Sequence, residues 1–518
     1  AAMIAKELGK PVKWIEGRQE NYVATTHGRD HLCEAEMVGN SDGTITGLRV
    51  DVKANMGSYL STFAPAIPTY LFGLILVGPY TIDNLQCNVT GVFTTTTPVD
   101  AYRGAGRPEA TYIIERMLDR FAAEIGMDPV EVRRKNLIPP FDDGHEIATG
   151  VTYDSGNYEL ALDKAIEMIG YEDFRKEQAE AREQGRYLGI GLSTYVEICG
   201  MAPSAVAYTL GARAATWESA HVRVHPTGKV TVYTGAQSTG QGHETTFAQL
   251  AAGELGIPVE DIEVVHGDTE KVQMGTGTFG SRSIVVGGSA IRMSTDKIKE
   301  KAKRVAANLL EAAPEDVVYE DGKMFVQGAP ANSKTFAEIA LASYWYDSLP
   351  EGDEPGLDAT SIFDPGNFTW PFGTHIAVVE VDGDTGETKL VRYVAVDDFG
   401  KVINPMIVAG MVHGGVVQGV GQALQEEAVY DDNGQLITGS MADYAVPNAT
   451  DVPNIETALT ETPSPVNPLG VKGAGEAGTI AASPAVINAV VDALTPFGVK
   501  HMNMPAKAEN VWRLMNGG

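Results

Sequence analysis

Most of the glycine that could do chemistry in this 518-residue chain sits in four short segments. They are Arg103 to Pro108 (RGAGRP), Gly235 to Glu244 (GAQSTGQGHE), Gly275 to Ser283 (GTGTFGSRS) and Gly470 to Gly478 (GVKGAGEAG). Glycine lets backbone N–H groups come close to a ligand. Loops that run into helix starts, as at Pro108 and His243, make anion sites. Taken singly, each segment is an ordinary turn. Loops of this kind converging on one ligand suit a large, flat, phosphate-bearing cofactor. Two of them match G-x-G-x-x-G, Gly275 to Gly280 and Gly473 to Gly478. Neither follows a hydrophobic strand, so neither reads as a dinucleotide fingerprint. Walker A and G-x-S-x-G sequences are absent. His27 and His31, like His221 and His225, are spaced i, i+4 in strand or turn text, where that spacing does not converge on zinc. Asp382-Gly383-Asp384 reads as a hairpin turn and not as a calcium loop.

Charge excludes one class of partner. With 39 basic against 68 acidic residues the chain carries −29, a poor match for nucleic acid. Its most basic stretch, Lys297 to Arg304, reads as one solvated helix face. The longest apolar run, Tyr70 to Val77, is of strand or core length, so no membrane span is expected, and no signal peptide is visible. Cys33, Cys87 and Cys199 lie far apart, which fits a reducing cytoplasm. Three thiols cannot hold an iron–sulfur cluster, which typically needs four.

The elements that must position these loops read as mixed α+β, with antiparallel sheets. Residues 1–9 resemble the tail of a helix stopped by Gly9, so the sequence is expected to begin inside a domain. His31 to Val38 alternates, turns at Asn40 to Gly43 and returns over Thr44 to Ala54. Pro108 opens a helix with Ile113, Met117, Phe121 and Ile125 on one face, closed by Gly126. A second helix follows near Val130 to Asn136. The polar Pro139 to Gly144 stretch sets a domain boundary near residue 145. Beyond it a theme recurs. A hairpin (Val222 to Val224, then Lys229 to Tyr233) leads to a loop and a helix from His243. Another (Ile376 to Val381, then Lys389 to Val396) leads to a helix after Pro405.

Four motifs in order, Ala101 to Glu109 (AYRGAGRPE), Thr239 to Thr245 (TGQGHET), Thr278 to Ser283 (TFGSRS) and Gly470 to Gly478, resemble the molybdenum-binding large subunit of the xanthine oxidase family. The likeness is nearest to aerobic carbon-monoxide-dehydrogenase-type large subunits. Lys13-Trp14, Thr26 to Asp30 and Asp397-Asp398 to Asn404-Pro405 carry the resemblance across the chain.

The resemblance implies two elongated molybdopterin-binding domains: the C-terminal part of a first over 1–145, its start missing, and a second over 146–518. It implies molybdopterin cytosine dinucleotide with molybdenum held by the pterin and not by side chains. It also implies 2Fe–2S clusters and FAD on an iron–sulfur small subunit and a flavin medium subunit, in a cytoplasmic dimer of heterotrimers. Glu476 matches the family's general base, and Arg103 the arginine that orients substrate and stabilises developing negative charge. Gly104, Ala105, Gln241, Gly242, His243, Thr278, Gly280, Ser281, Arg282, Ser283, Asn404, Lys472 and Gly475 match cofactor-binding positions.

The implied reaction is hydroxylation of an electron-poor C–H carbon in an aldehyde, N-heterocycle or purine, with water as the oxygen source. Two alternatives stand beside it: carbon monoxide oxidation, and a non-catalytic scaffold subunit. Two departures bear on the choice. Carbon monoxide oxidisers carry a copper-binding cysteine after the arginine, where this chain has Gly104, so no copper is expected. At Met411 the family often has a glutamine that touches the cofactor, and methionine can donate no hydrogen bond there. The family's upstream G-G-G-F-G segment is absent. Selectivity is expected from pocket loops such as Tyr195 to Pro203 and Tyr344 to Pro355.

Overall fold

The alternation at His31 to Val38 becomes a strand, His31–Gly39, paired antiparallel with Ile45–Gly57 across the 40–44 turn. Leu85–Phe93 adds to this sheet in parallel. Its inner face (Val50, Val52, Ala54) packs with the Arg107–Ile125 helix. That helix is closed by Gly126 as expected, but its most buried row is Ala110, Ile114, Leu118 and Ala122; of the expected face Ile113 is buried and Met117, Phe121 and Ile125 are half-buried beside it. The computed structural model describes every residue except 202, 210, 212–214 and 518.

Two four-stranded sheets follow. One has the order Ala359–Phe363, Glu218–Val224, Val230–Thr234, Ile262–His266. The other runs Ile455–Thr460, Thr388–Asp398, Phe372–Val381, Tyr187–Val196. Both hairpins read from the sequence are there, and each sheet also holds one parallel pair. The architecture is mixed α+β. Each hairpin feeds a helix whose N-terminus faces the same region, His243–Leu255 and Pro405–Leu424.

Two elements differ from the expectation. Arg18–Ala24 is a helix inside text that reads as strand; it is polar and buries no residue, so no apolar period marks it. Tyr195 and Val196 end a strand that is buried from Leu188 onward and are not loop. Pro405–Leu424 has the length and mean hydropathy, 1.3, of a membrane span. In this fold, however, Val412, Gly415, Val416 and Val420 are buried in the core shared with the Ala477–Ala493 helix. The Lys297 to Arg304 stretch lies on the Ser289–Leu310 helix, where Lys299 pairs with Glu254 and Arg304 with Asp353.

Candidate active site

The four glycine segments, scattered between residues 103 and 478, meet around one open cleft of about 480 Å³. Arg103, Gln241, Ser281 and Glu476 each represent one of them on its wall. The Pro405–Leu424 helix supplies a fifth side through Ile407, Met411 and Gly414.

Glu476 stands at the N-cap of the 17-residue Ala477–Ala493 helix, where the backbone dipole favours negative charge. Its side chain is 15% exposed, so it is reachable from the cleft. Oε2 accepts from Arg107 at 2.5 Å and from the Ser281 hydroxyl at 3.2 Å. Oε1 accepts from the Gly104 N–H at 3.1 Å. A carboxylate has about four lone-pair sites. Three are taken, and the one left, on Oε1, is free to take a proton.

Arg107 was not singled out by the sequence, yet it holds this arrangement together. It is 1% exposed and donates to Gly104 O (2.5 Å), Ile198 O (2.6 Å) and Glu476. One guanidinium thus ties the first glycine loop, the segment that follows the Tyr187–Val196 edge strand and the fourth loop. Arg103 reaches the same loop from the other side, giving Nε to Gly475 O (2.7 Å) and its terminal nitrogens to Gln418 and Met411 O (3.1 Å each). Burial lowers its pKa, with Glu476 opposing. Three of its five N–H donors are used, so it arrives pre-positioned with donors to spare.

Close backbone packing fixes the loops against one another. A Cβ at Gly473 would overlap Ser281 O and Cys199 Sγ. Cys199 Sγ in turn donates to Ser281 O at 2.9 Å and accepts from Gly473 N–H at 3.2 Å. Ser281 (φ 53°) and Ala105 (φ 39°) are non-glycine residues in the left-handed region, a strain that clusters at functional sites.

The remaining expected site residues divide into three groups. Gln241, His243, Thr278, Gly280 and Ser283 line the cleft. Gly242 precedes it as the N-cap of His243–Leu255, and burial pushes the His243 imidazole down to about 4. Asn404 lines the cleft and caps the Pro405–Leu424 helix by accepting from Ile407 N–H (3.0 Å).

Two side chains are turned away from a ligand-binding task. The Arg282 guanidinium is 1% exposed and bonds Glu218 (3.3 Å), Gly277 O, Met201 O and Thr216 O. It therefore organises its loop and does not offer charge to a phosphate. The Lys472 ammonium is buried against Asp154, Ser155 O (3.1 Å) and the Phe372 ring. Only the backbone of Lys472 can face a cofactor. Ala105 is itself buried, behind Gly104.

Arg282→Ala is expected to strand Glu218 and cost about 3–5 kcal/mol, as when one partner of a buried pair is removed. Denaturant unfolding measures it, and an unchanged midpoint would contradict the role.

Of the two loops expected to set selectivity, 195–203 lies beneath the site: Tyr195 donates to Asp397 (2.7 Å) and Met201 packs at Gly280. Ala202 lies outside the described residues. The 344–355 loop does not reach the cleft. Tyr344 bonds Val224 O and Asp353 pairs with Arg304 on another face.

The cleft suits a flat group with phosphates. Gly240 and Gly277 have nothing within 4 Å of where a Cβ would stand, and Gly475 has only loose neighbours. His243 Nδ1 is buried without a hydrogen-bond partner, and the first turn of the His243–Leu255 helix points its N–H groups this way.

Two Molybdopterin cofactor-binding domain models match the chain, over residues 1–137 and 164–453. The carbon monoxide dehydrogenase large chain of Hydrogenophaga pseudoflava is 41% identical over 98% of this chain and 63% of its own length. The nicotine 6-hydroxylase large subunit of Paenarthrobacter nicotinovorans is 38% identical over 99% of this chain and 63% of its own. Quinoline 2-oxidoreductase from Pseudomonas putida 86 superposes with a TM-score of 0.95 at 39% identity, covering 99% of this chain and 65% of that one. The chain thus spans less than two thirds of the relatives it matches.

Proposed function

Since the chain belongs to the molybdopterin cofactor-binding domain family, as a xanthine-oxidase-family large subunit of the carbon monoxide dehydrogenase type, we propose that it is the catalytic part of a molybdenum hydroxylase. The substrate is a small molecule with an electron-poor C–H carbon, in an aldehyde, N-heterocycle or purine. The observation that carries this reading is the meeting of four distant glycine loops around one cleft, with a carboxylate at its edge that keeps one lone pair open. The cofactor is read as molybdopterin cytosine dinucleotide. Electrons leave through 2Fe–2S clusters and FAD on partner subunits, in a cytoplasmic complex. The two domains are taken to meet near residue 145.

When bound, the cofactor supplies a two-electron acceptor and an activated oxygen derived from water. Gln241, Ser283 and the backbone of 473–475 would hold it. The protein does the rest. Glu476 takes a proton on the open lone pair of Oε1. Arg107 and the Gly104 N–H keep that carboxylate in one orientation. Arg103 turns its unused donors to negative charge developing on the substrate.

Oxidation of carbon monoxide with copper is not proposed. Gly104 has φ 100°, and a Cβ there would overlap Pro108 and press on Arg29. A side chain at this position strains the backbone whatever its chemistry. Gly104→Cys is therefore expected to bind no copper and to lower molybdenum content. Stoichiometric copper with full molybdenum would contradict this.

The test is a substrate panel on the purified complex with an artificial electron acceptor, covering aldehydes, purines, N-heterocycles and carbon monoxide. Turnover of one of the first three supports the proposal. Turnover of carbon monoxide alone, or of none in molybdenum-loaded enzyme, overturns it.

A further inference from the structure

Behind the Glu476 carboxylate lies a second acid. Glu197 follows the buried Tyr187–Val196 strand, and its backbone N–H donates to Pro371 O (2.9 Å). Its side chain is fully buried, and neither carboxyl oxygen has a hydrogen-bond partner. The next residue, Ile198, gives its carbonyl to Arg107, the guanidinium that also clamps Glu476. Arg107, Arg103, Glu476 and the Ser281 hydroxyl face it, with Cys199 and Tyr195 on its own segment.

A fully buried carboxyl with no hydrogen bond is costly as an anion. If both acids were ionised, two negative charges would crowd around Arg107, whose Nε and one terminal nitrogen already donate to Gly104 O and Ile198 O. One proton on the pair removes the buried anion that no donor bonds. Glu476 is the one at the helix N-terminus with three donors, so it is the one that stays charged. The proton therefore resides on Glu197.

We propose that Glu197 and Glu476 form one proton-sharing carboxyl pair around Arg107, in which Glu197 is the positioning residue that carries the proton and keeps Glu476 ionised. This rests on the reading of Glu476 as the base. Burial pushes the Glu197 carboxyl up to about 8, against the pull of Arg107, and the charge of Glu476 adds to the rise. Below that pH the pair carries one negative charge, matched by Arg107. Above it the second charge competes for the clamp, and the titration belongs to the pair.

Infrared spectroscopy of the intact enzyme tests the pair without turnover. A neutral carboxylic-acid C=O band is expected at neutral pH, bleaching as pH rises through about 8. The band should be absent in Glu197→Gln. In Glu476→Gln it should remain but bleach at lower pH, because the like charge is gone. A second readout is the pH profile of kcat/KM: its inflection near the same pH should vanish in Glu197→Gln and survive, displaced, in Glu197→Asp. No such band at neutral pH, or a midpoint that Glu476→Gln does not move, overturns the pair. An inflection that persists in Glu197→Gln overturns its link to the base. If the band behaves as stated while no substrate is turned over, the proposed function fails and the pair stands.

Discussion

Glu476→Gln should lower kcat/KM by roughly 10²- to 10⁴-fold, the usual worth of a positioned general base. The amide can place its oxygen toward Arg107, replacing a 2.5 Å charge-assisted bond with a weaker one. Its NH₂ then meets the Gly104 N–H, which loses its acceptor. No lone pair remains on the cleft side to receive a proton. The variant keeps all four glycine loops, so molybdenum content should match the parent. Steady-state kinetics beside metal analysis separate the two effects. Full activity at full molybdenum would remove Glu476 as the base, and a loss of molybdenum parallel to the loss of activity would make it a structural residue.

Arg107→Met should be the most damaging change in stability. It leaves Glu476 without its ion-pair partner and Glu197 without one of the two cations it faces, and it frees two carbonyls that Arg107 now satisfies. Breaking a buried ion pair costs about 3–5 kcal/mol. The orphaned carbonyls of Gly104 and Ile198 add about 1–3 kcal/mol each unless water reaches them. Arg107→Lys restores the charge but cannot span three acceptors with a planar fork. It should recover part of the stability and little of the activity. Denaturant unfolding of both variants measures the first expectation, and equal losses in Met and Lys would contradict it.

The ligand loops were legible because each is local. Glycine clusters announce themselves within ten residues, and Pro108 and His243 mark the helix starts beside them. Their meeting point was not legible from spacing, since Arg103 and Gly475 are 372 residues apart and still bonded. Arg107 and Glu197 stayed hidden for the same reason. The Arg107 partner lies 369 residues away, and a glutamate at the end of an apolar strand has no local signature of burial. Arg282 and Lys472 line the cleft, with their charged ends turned to Glu218 and Asp154. Their acidic partners are far away in sequence, so no local pattern shows where those charges are spent. The Ala477–Ala493 helix escaped notice because it is buried on nearly every side, so it carries no amphipathic period, and Pro484 interrupts it.

X-ray data collected on the purified enzyme across the molybdenum absorption edge bear most directly on the convergence of the four loops. One anomalous peak per chain is expected inside the cleft between Arg103, Gln241, Ser281 and Gly475, beside the Glu476 carboxylate. A peak elsewhere, or none in crystals whose protein contains molybdenum by metal analysis, would contradict the site.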